Sequence, residues 1–361
     1  MIGLRFFVSQ NLARLALVAS LASASAAQAK IDLLGASTGF GFTPIAFVSP
    51  SNFSDSVIAE AQRQELIKHY CTAVGLYYQK YKWKDEPCGN VQWRTTLKTK
   101  NGHPLIYAEF GSGKETTLVL GGVHPDELTP VHVAFRMARF LAENPKQINP
   151  GIHVIVAPLV NPDGFLRNVP TRTNANGIDA NRNFFTLDWF AKAKRLWQER
   201  RERASKHFPG YFPNSEIETL FQIQLVDQFQ PDKILSIHAP LGFLDYDGPG
   251  DGDNAPVSPT QRRAKQLVHS ISEKSQNYKV VDYTFYPGSL GNYAGNERHV
   301  PTVTLELETT DPDMVDTYWT QFLPGILQSI HYPFVLDPQF SESDNATPFS
   351  ADYGAHGKET I

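Results

Sequence analysis

Gly121-Gly122-Val123-His124-Pro125-Asp126-Glu127 is the stretch whose reading decides the fold. Before it, residues 117–120 form an apolar run with the character of a buried strand. After it, apolar residues at 128, 131, 135, 138 and 141 recur at helical spacing. A histidine and a glutamate three apart therefore stand where a strand gives way to a helix, and a loop there can aim both side chains at one point. Imidazole nitrogen and carboxylate oxygen are zinc donors, and two histidines with one glutamate form a catalytic ligand set. In isolation a surface turn reads the same way, so the weight falls on the residues downstream.

Working outward, strand and helix patterns alternate. Residues 91–95 and 104–108 read as strands around a turn at Asn101-Gly102. Further strands are expected over 153–160, 233–238 and 302–307, and helices over 215–229, 259–277 and 318–332, the last kinked at Pro324. The alternation predicts an α/β fold with a mixed, mostly parallel central sheet and helices on both faces. Ligands in such folds sit beyond the carboxyl ends of strands, where most of the motifs below fall.

The chain has 361 residues, 41% of them apolar and 19% charged, which suits a globular core. A net charge of −4 argues against a nucleic-acid binder. Arg5 and Arg14, the apolar run 15–24 and Ala27-Gln28-Ala29 have the make-up of an export signal over residues 1–29, with the mature chain starting at Lys30. That run is short for a membrane span, and no other stretch looks transmembrane. Residues 30–90 read as an N-terminal arm with a helix beginning near Asp55. Its two cysteines, Cys71 and Cys88, permit a disulfide in an exported protein, the alternative being two free thiols. The catalytic domain is expected over 91–335 and a flexible, polar tail over 336–361.

Four more segments carry chemistry. Asn161-Pro162-Asp163-Gly164 makes a turn after a strand. Residues 172–184 are dense in amide and guanidinium groups, and Arg with Asn forms a natural clamp for a carboxylate. His238 ends a strand and is the leading third metal ligand beside His124 and Glu127. Glu306 and Glu308 lie in an apolar strand, where a carboxylate must be paired, neutralised or functional. Period two places them on one face, one as general base and the other as an ion-pair partner.

In order and spacing, His124-x-x-Glu127, Asn161 to Gly164, the run from Gly177 to Phe184, His238 and Thr304-Leu305-Glu306-Leu307 resemble the zinc carboxypeptidases of the carboxypeptidase A type. The resemblance covers about residues 95–333. It implies one zinc ion held by His124, Glu127 and His238, with Asp179 orienting the first histidine. Asn181 and Arg182 would grip the substrate's terminal carboxylate, and Arg172 would polarise the scissile carbonyl, with Arg167 as the alternative. Glu306 would be the catalytic carboxylate, and the mobile tyrosine would be Tyr286 or Tyr283. Pro125 replaces the usual small residue after the zinc histidine, and the loop from Gly164 to Asp179 is short. These departures, and residues 287–295, look more like the bacterial branch that trims peptidoglycan stem peptides. That branch implies a periplasmic enzyme cutting between D-glutamate and diaminopimelate, for cell-wall remodelling or cell shape. The charge balance and the short apolar run lead to the expectation of no nucleic-acid partner and no stable membrane anchor after signal cleavage. Asp245 and Asp247 would meet the extra amine of diaminopimelate or simply form a turn. A zinc deacylase of N-acyl amino acids and a general metallocarboxypeptidase are the other readings.

Overall fold

The computed structural model describes residues 60–200, 204–250 and 257–334. The expected export signal, the first part of the arm and the tail lie outside these residues.

The strands are β1 (Arg94–Lys98), β2 (Pro104–Gly111), β3 (Glu115–Leu120) and β4 (Ile152–Ala157). After them come β5 (Lys233–His238), β6 (Phe243–Tyr246), β7 (Val280–Val281) and β8 (Thr302–Glu306). They form one sheet in the order β1-β2-β4-β3-β5-β8-β6-β7. Neighbours β4, β3, β5 and β8 run parallel, while β1, β2 and β6 pair antiparallel. The main helices are α1 (Glu60–Lys80), α2 (Leu128–Glu143), α3 (Lys194–Arg200), α4 (Ile217–Phe229), α5 (Pro259–Lys274) and α6 (Val315–His331).

Both faces of the sheet are covered, because the central strands are apolar on both sides. In β3, Val119 belongs to the core under α2, α5 and α6, while Leu118 and Leu120 belong to the core under α4. Period two along the strand thus feeds two cores. The described part of the arm joins the first of them. Tyr70, Val74 and Tyr78, four apart on α1, are buried with Phe135 of α2, and Tyr78 stacks on His132 with ring centroids 5.5 Å apart. Cys71 of α1 and Cys88 form a disulfide, which ties this helix to the segment entering β1.

Several boundaries differ from the pattern reading. The strand expected over 91–95 starts at Arg94, because Val91 and Trp93 close a local turn in which Trp93 N–H donates to the Val91 carbonyl at 3.0 Å. Helix α4 starts at Ile217, because the Ser215 amide is taken by the Asn183 side chain at 2.9 Å. Helix α5 ends at Lys274, since Gln276 and Asn277 adopt positive φ. Its other end is a capping box between Ser258 and Gln261. Helix α6 begins at Val315 and carries Pro324 within it. Strand β8 ends at Glu306 and Glu308 is exposed, so the two do not share a strand face. Strands β6 and β7 and the helical stretch 189–200 had no clear signal, being short or mixed in polarity.

Candidate metal centre and active site

Three adjacent parallel strands, β3, β5 and β8, deliver the site at their carboxyl ends. The turn after β3 is forced by its glycines. Gly122 has φ +57°, and a Cβ there would lie 2.5 Å from Leu159 Cδ1. Carbonyls of Gly121 and Gly122 accept from Val160 and Asn161 at 3.0 Å, which locks this turn to the one after β4. His124 and Glu127 are therefore held by backbone, and His238 is the last residue of β5.

The three side chains meet. His124 Nδ1 lies 3.0 Å from Glu127 Oε1 and 3.0 Å from His238 Nδ1. His238 Nδ1 lies 3.0 Å from Glu127 Oε2, which also accepts from the Ala239 amide at 3.1 Å. All three residues are buried, and their ligand atoms fall within 4.8 Å of one another. Tetrahedral zinc bonds of about 2.0–2.1 Å separate ligand atoms by roughly 3.4 Å, so this cluster fits such an ion. The far nitrogen of His124, Nε2, is held by Asp179 Oδ1 at 3.0 Å. That bond fixes the tautomer that leaves Nδ1 as the donor to a metal.

Charge in this cluster is balanced by neighbours. Burial pushes the Glu127 carboxyl up, but the charges of and hydrogen bonds from His124 and His238 outweigh it and hold it well below the usual range. For Asp179 burial is likewise overcome, chiefly by Arg172 and then His124. Arg172 donates through Nε to Asp179 at 2.8 Å and through Nη1 to Glu127 at 3.1 Å. Arg167 instead spends its guanidinium on the carbonyls of Asp163 and Asn174. Of the two arginines, geometry brings only Arg172 to the metal ligands.

Glu306 ends β8 in register with His238. The Leu241 amide faces its Oε2 at 3.4 Å, and burial, followed by the charge of Glu127, raises its pKa. A raised carboxyl beside a metal site is suited to proton transfer near neutral pH. Arg182 lies under the ring of Tyr286, its guanidinium carbon 4.4 Å from the centroid. The Asn181 side-chain oxygen accepts from the Leu290 amide at 2.7 Å. Tyr283 stacks on Phe243 and is 46% exposed, so Tyr286 is the tyrosine that joins Arg182.

The turn Asn161 to Gly164 proves to be a single helical turn, Pro162–Phe165, capped by the Asn161 side chain. It is scaffolding. Asp163 receives the Thr99 hydroxyl, the Asn101 amide and His103 Nδ1, which pins the β1–β2 hairpin. The Asn161 amide reaches the Arg172 carbonyl at 3.4 Å and so steadies the loop that carries the arginine. Strand β6 pairs with β8 so that Phe243 faces Glu306 and Asp245 faces Thr304. Asp245 and Asp247 thus share the sheet face that bears the catalytic candidate, and Asp247 accepts the Thr304 hydroxyl. Burial raises both carboxyls; for Asp245 the charge of Asp247 adds to the rise, and for Asp247 the Thr304 bond and Arg182 oppose it.

One neighbour of the site escaped the sequence reading. His207 Nδ1 lies 3.8 Å from Asp179 Oδ2, and the adjacent Phe208 carbonyl accepts the Asp179 amide at 2.9 Å. A lone histidine in a polar, mixed-charge stretch offers no periodic signal.

A zinc carboxypeptidase family profile matches residues 89–325. Murein peptide amidase A of Escherichia coli is 33% identical over 147 residues, 40% of this chain and 57% of that protein. The chain therefore spans little more than half the length of that relative. Murein peptide amidase A of Vibrio campbellii is 31% identical over 224 residues, 60% of this chain and 79% of that protein. Among solved structures, bovine thrombin-activatable fibrinolysis inhibitor superposes with a TM-score of 0.56 at 14% identity, over 73% of this chain and 95% of that one, which supports the fold. With a His-Glu-His group that could hold a metal ion and a profile match over more than half of its length, the chain belongs to the zinc carboxypeptidase family.

Proposed function

We propose that the protein is a zinc peptidase of the periplasm that removes the C-terminal diaminopimelate from peptidoglycan stem peptides by hydrolysing its bond to D-glutamate. The observation that carries the chemistry is the convergence of His124, Glu127 and His238 with Glu306 one strand away. The substrate class is supported by the two similar proteins named murein peptide amidase A. Among the described residues, no helix is long and apolar enough to cross a membrane.

His124, Glu127 and His238 would hold the zinc ion, which supplies Lewis acidity to water and to the scissile carbonyl. Arg182 and the Asn181 amide bind the terminal carboxylate, Arg182 as a two-pronged donor. Tyr286, over the Arg182 guanidinium, shields that contact from water. Glu306 takes a proton from the attacking water and hands it to the departing nitrogen, so water is consumed and an amine and a carboxylate are released. Arg172 stands where negative charge builds on the carbonyl oxygen and stabilises it. Asp245 and Asp247 offer carboxyl oxygens to the second ammonium of diaminopimelate, a cation that would favour their ionised forms against burial.

The test is digestion of a purified stem tripeptide by zinc-loaded protein, with and without a chelator, read by mass spectrometry. Free diaminopimelate that disappears with the chelator is expected. An intact tripeptide beside protein that holds its metal would refute the proposal, and cleavage of an N-acyl amino acid instead would assign a deacylase.

A further inference from the structure

Arg172 makes contacts that binding a carbonyl oxygen does not require. Its side chain is 14% exposed, and two of its nitrogens are spent inside the protein. Nε donates to Asp179 Oδ2 at 2.8 Å and Nη1 to Glu127 Oε1 at 3.1 Å. The other Asp179 oxygen receives His124 Nε2 and the Asn181 amide, each at 3.0 Å. His124 Nδ1 in turn lies 3.0 Å from Glu127 Oε1. Glu127, Arg172, Asp179 and His124 therefore close a ring of four side chains, and two of them are metal ligands. The members come from the turn after β3, the loop at 172 and the turn at 179.

We propose that Arg172 is a positioning residue of the metal centre, so that the zinc affinity of the protein, and not only its turnover, depends on the guanidinium. A guanidinium is planar with donors in fixed directions. Two carboxylates bonded to it are thereby set at a fixed separation, and that sets the His124 ring relative to the Glu127 carboxylate. Two effects oppose each other. A cation near the site repels a dication, which would weaken binding. Yet the guanidinium is bracketed by two carboxylates, so its field is largely cancelled, and without it those two buried anions repel each other and lose their alignment. Groups that orient metal ligands from behind are worth roughly 10- to 100-fold in affinity, and here one residue serves two ligands.

The proposal rests on the metal-ligand reading but not on the substrate, and its test uses none. Zinc affinity is measured by competition with a chromogenic chelator for the native protein, Arg172→Gln and Arg172→Lys, with thermal melting of the metal-free forms as the control for folding. The Gln variant is expected to bind zinc roughly 10- to 100-fold more weakly. The Lys variant should fall between, because one ammonium can serve one carboxylate but not hold both in a plane. The visible spectrum of the cobalt-loaded Gln variant should also change as the ligands relax. Unchanged or tighter zinc binding by the Gln variant would overturn the proposal and leave Arg172 a role toward substrate alone. Should the Gln variant not fold, native affinity in the Lys variant overturns it equally. Failure of the proposed function would show differently, as an uncut tripeptide while the ranking of zinc affinities still holds.

Discussion

Glu218 gives a prediction whose sign and size follow from the structure. It lies in the first turn of α4, 1% exposed, and accepts from Asn174 Nδ2 at 2.8 Å. The same amide donates to Glu216 at 2.7 Å, so two carboxyl groups crowd one donor. Burial raises the Glu218 pKa from 4.5 to about 8. In the native state the group therefore keeps its proton across a range in which the unfolded chain has lost it. The native state binds more protons there, and stability must fall as pH rises. The contribution is whole below pH 4.5 and is lost as pH climbs through about 8. Each pH unit crossed is worth about 1.4 kcal/mol, so the ceiling is roughly 5 kcal/mol. The consequence reaches the site, because the Asn174 side-chain oxygen accepts the amides of Asn176 and Ile178 and shapes the loop that runs from Arg172 to Asp179. The assay is urea unfolding of the metal-free native protein and Glu218→Gln from about pH 5, just above the unfolded pKa, to about pH 10, well above the folded one. Stability of the native protein should decline relative to the variant by about 1.4 kcal/mol per pH unit in mid-range, and the two should run parallel above pH 9. Parallel curves throughout would show that Glu218 is already ionised at neutral pH and that its burial has been misjudged.

Three further outcomes are expected. Glu306→Gln keeps the shape and the oxygen that faces the Leu241 amide, so zinc binding should persist while turnover falls by roughly 10²- to 10⁴-fold; full activity in a single-turnover assay would remove Glu306 from the reaction. Replacing both Cys71 and Cys88 by Ser opens a loop with a sequence separation of 17 and should cost about 3 kcal/mol in chemical unfolding; an unchanged midpoint would mean that the packing of α1 alone holds the segment. Asp247→Asn should lower kcat/KM for a tripeptide ending in diaminopimelate by roughly 10- to 100-fold, the worth of a charge-assisted hydrogen bond. It should barely change a substrate ending in alanine, and equal losses on both would assign Asp247 to the fold through Thr304 rather than to the substrate.

What the sequence disclosed depended on whether a residue's neighbours were near it in the chain. The meeting of His124, Glu127 and His238 was legible because all three carry donor atoms at or just after the carboxyl ends of apolar strands, and parallel strands bring those ends to one edge. Glu306 was legible because a carboxylate in an apolar strand needs a reason. The order of the strands was not, since β6 and β7 have four and two residues, too short for period two to register. Nor was the work of Asp163, which answers to Thr99 and His103 some 60 residues away.

The residues hardest to read are those whose partners are other polar groups. Asn174 lies in an Asn-rich run that looks solvated, yet it is 1% exposed and is tied to Glu216 and Glu218 across about 40 residues of chain. His207 is brought beside Asp179 by contacts of its neighbours, since Trp197 of α3 donates to the Ala204 carbonyl and packs on Phe208 at 4.8 Å, and the Phe208 carbonyl accepts the Asp179 amide. Apolar burial follows a period that one element writes into its own sequence. Buried polar networks follow pairings between elements, and each member in isolation is indistinguishable from a surface residue. The convergence of His124, Glu127 and His238 could be read from the sequence because they stand at or just past strand ends; the ring that Arg172 and Asp179 close around them needed coordinates.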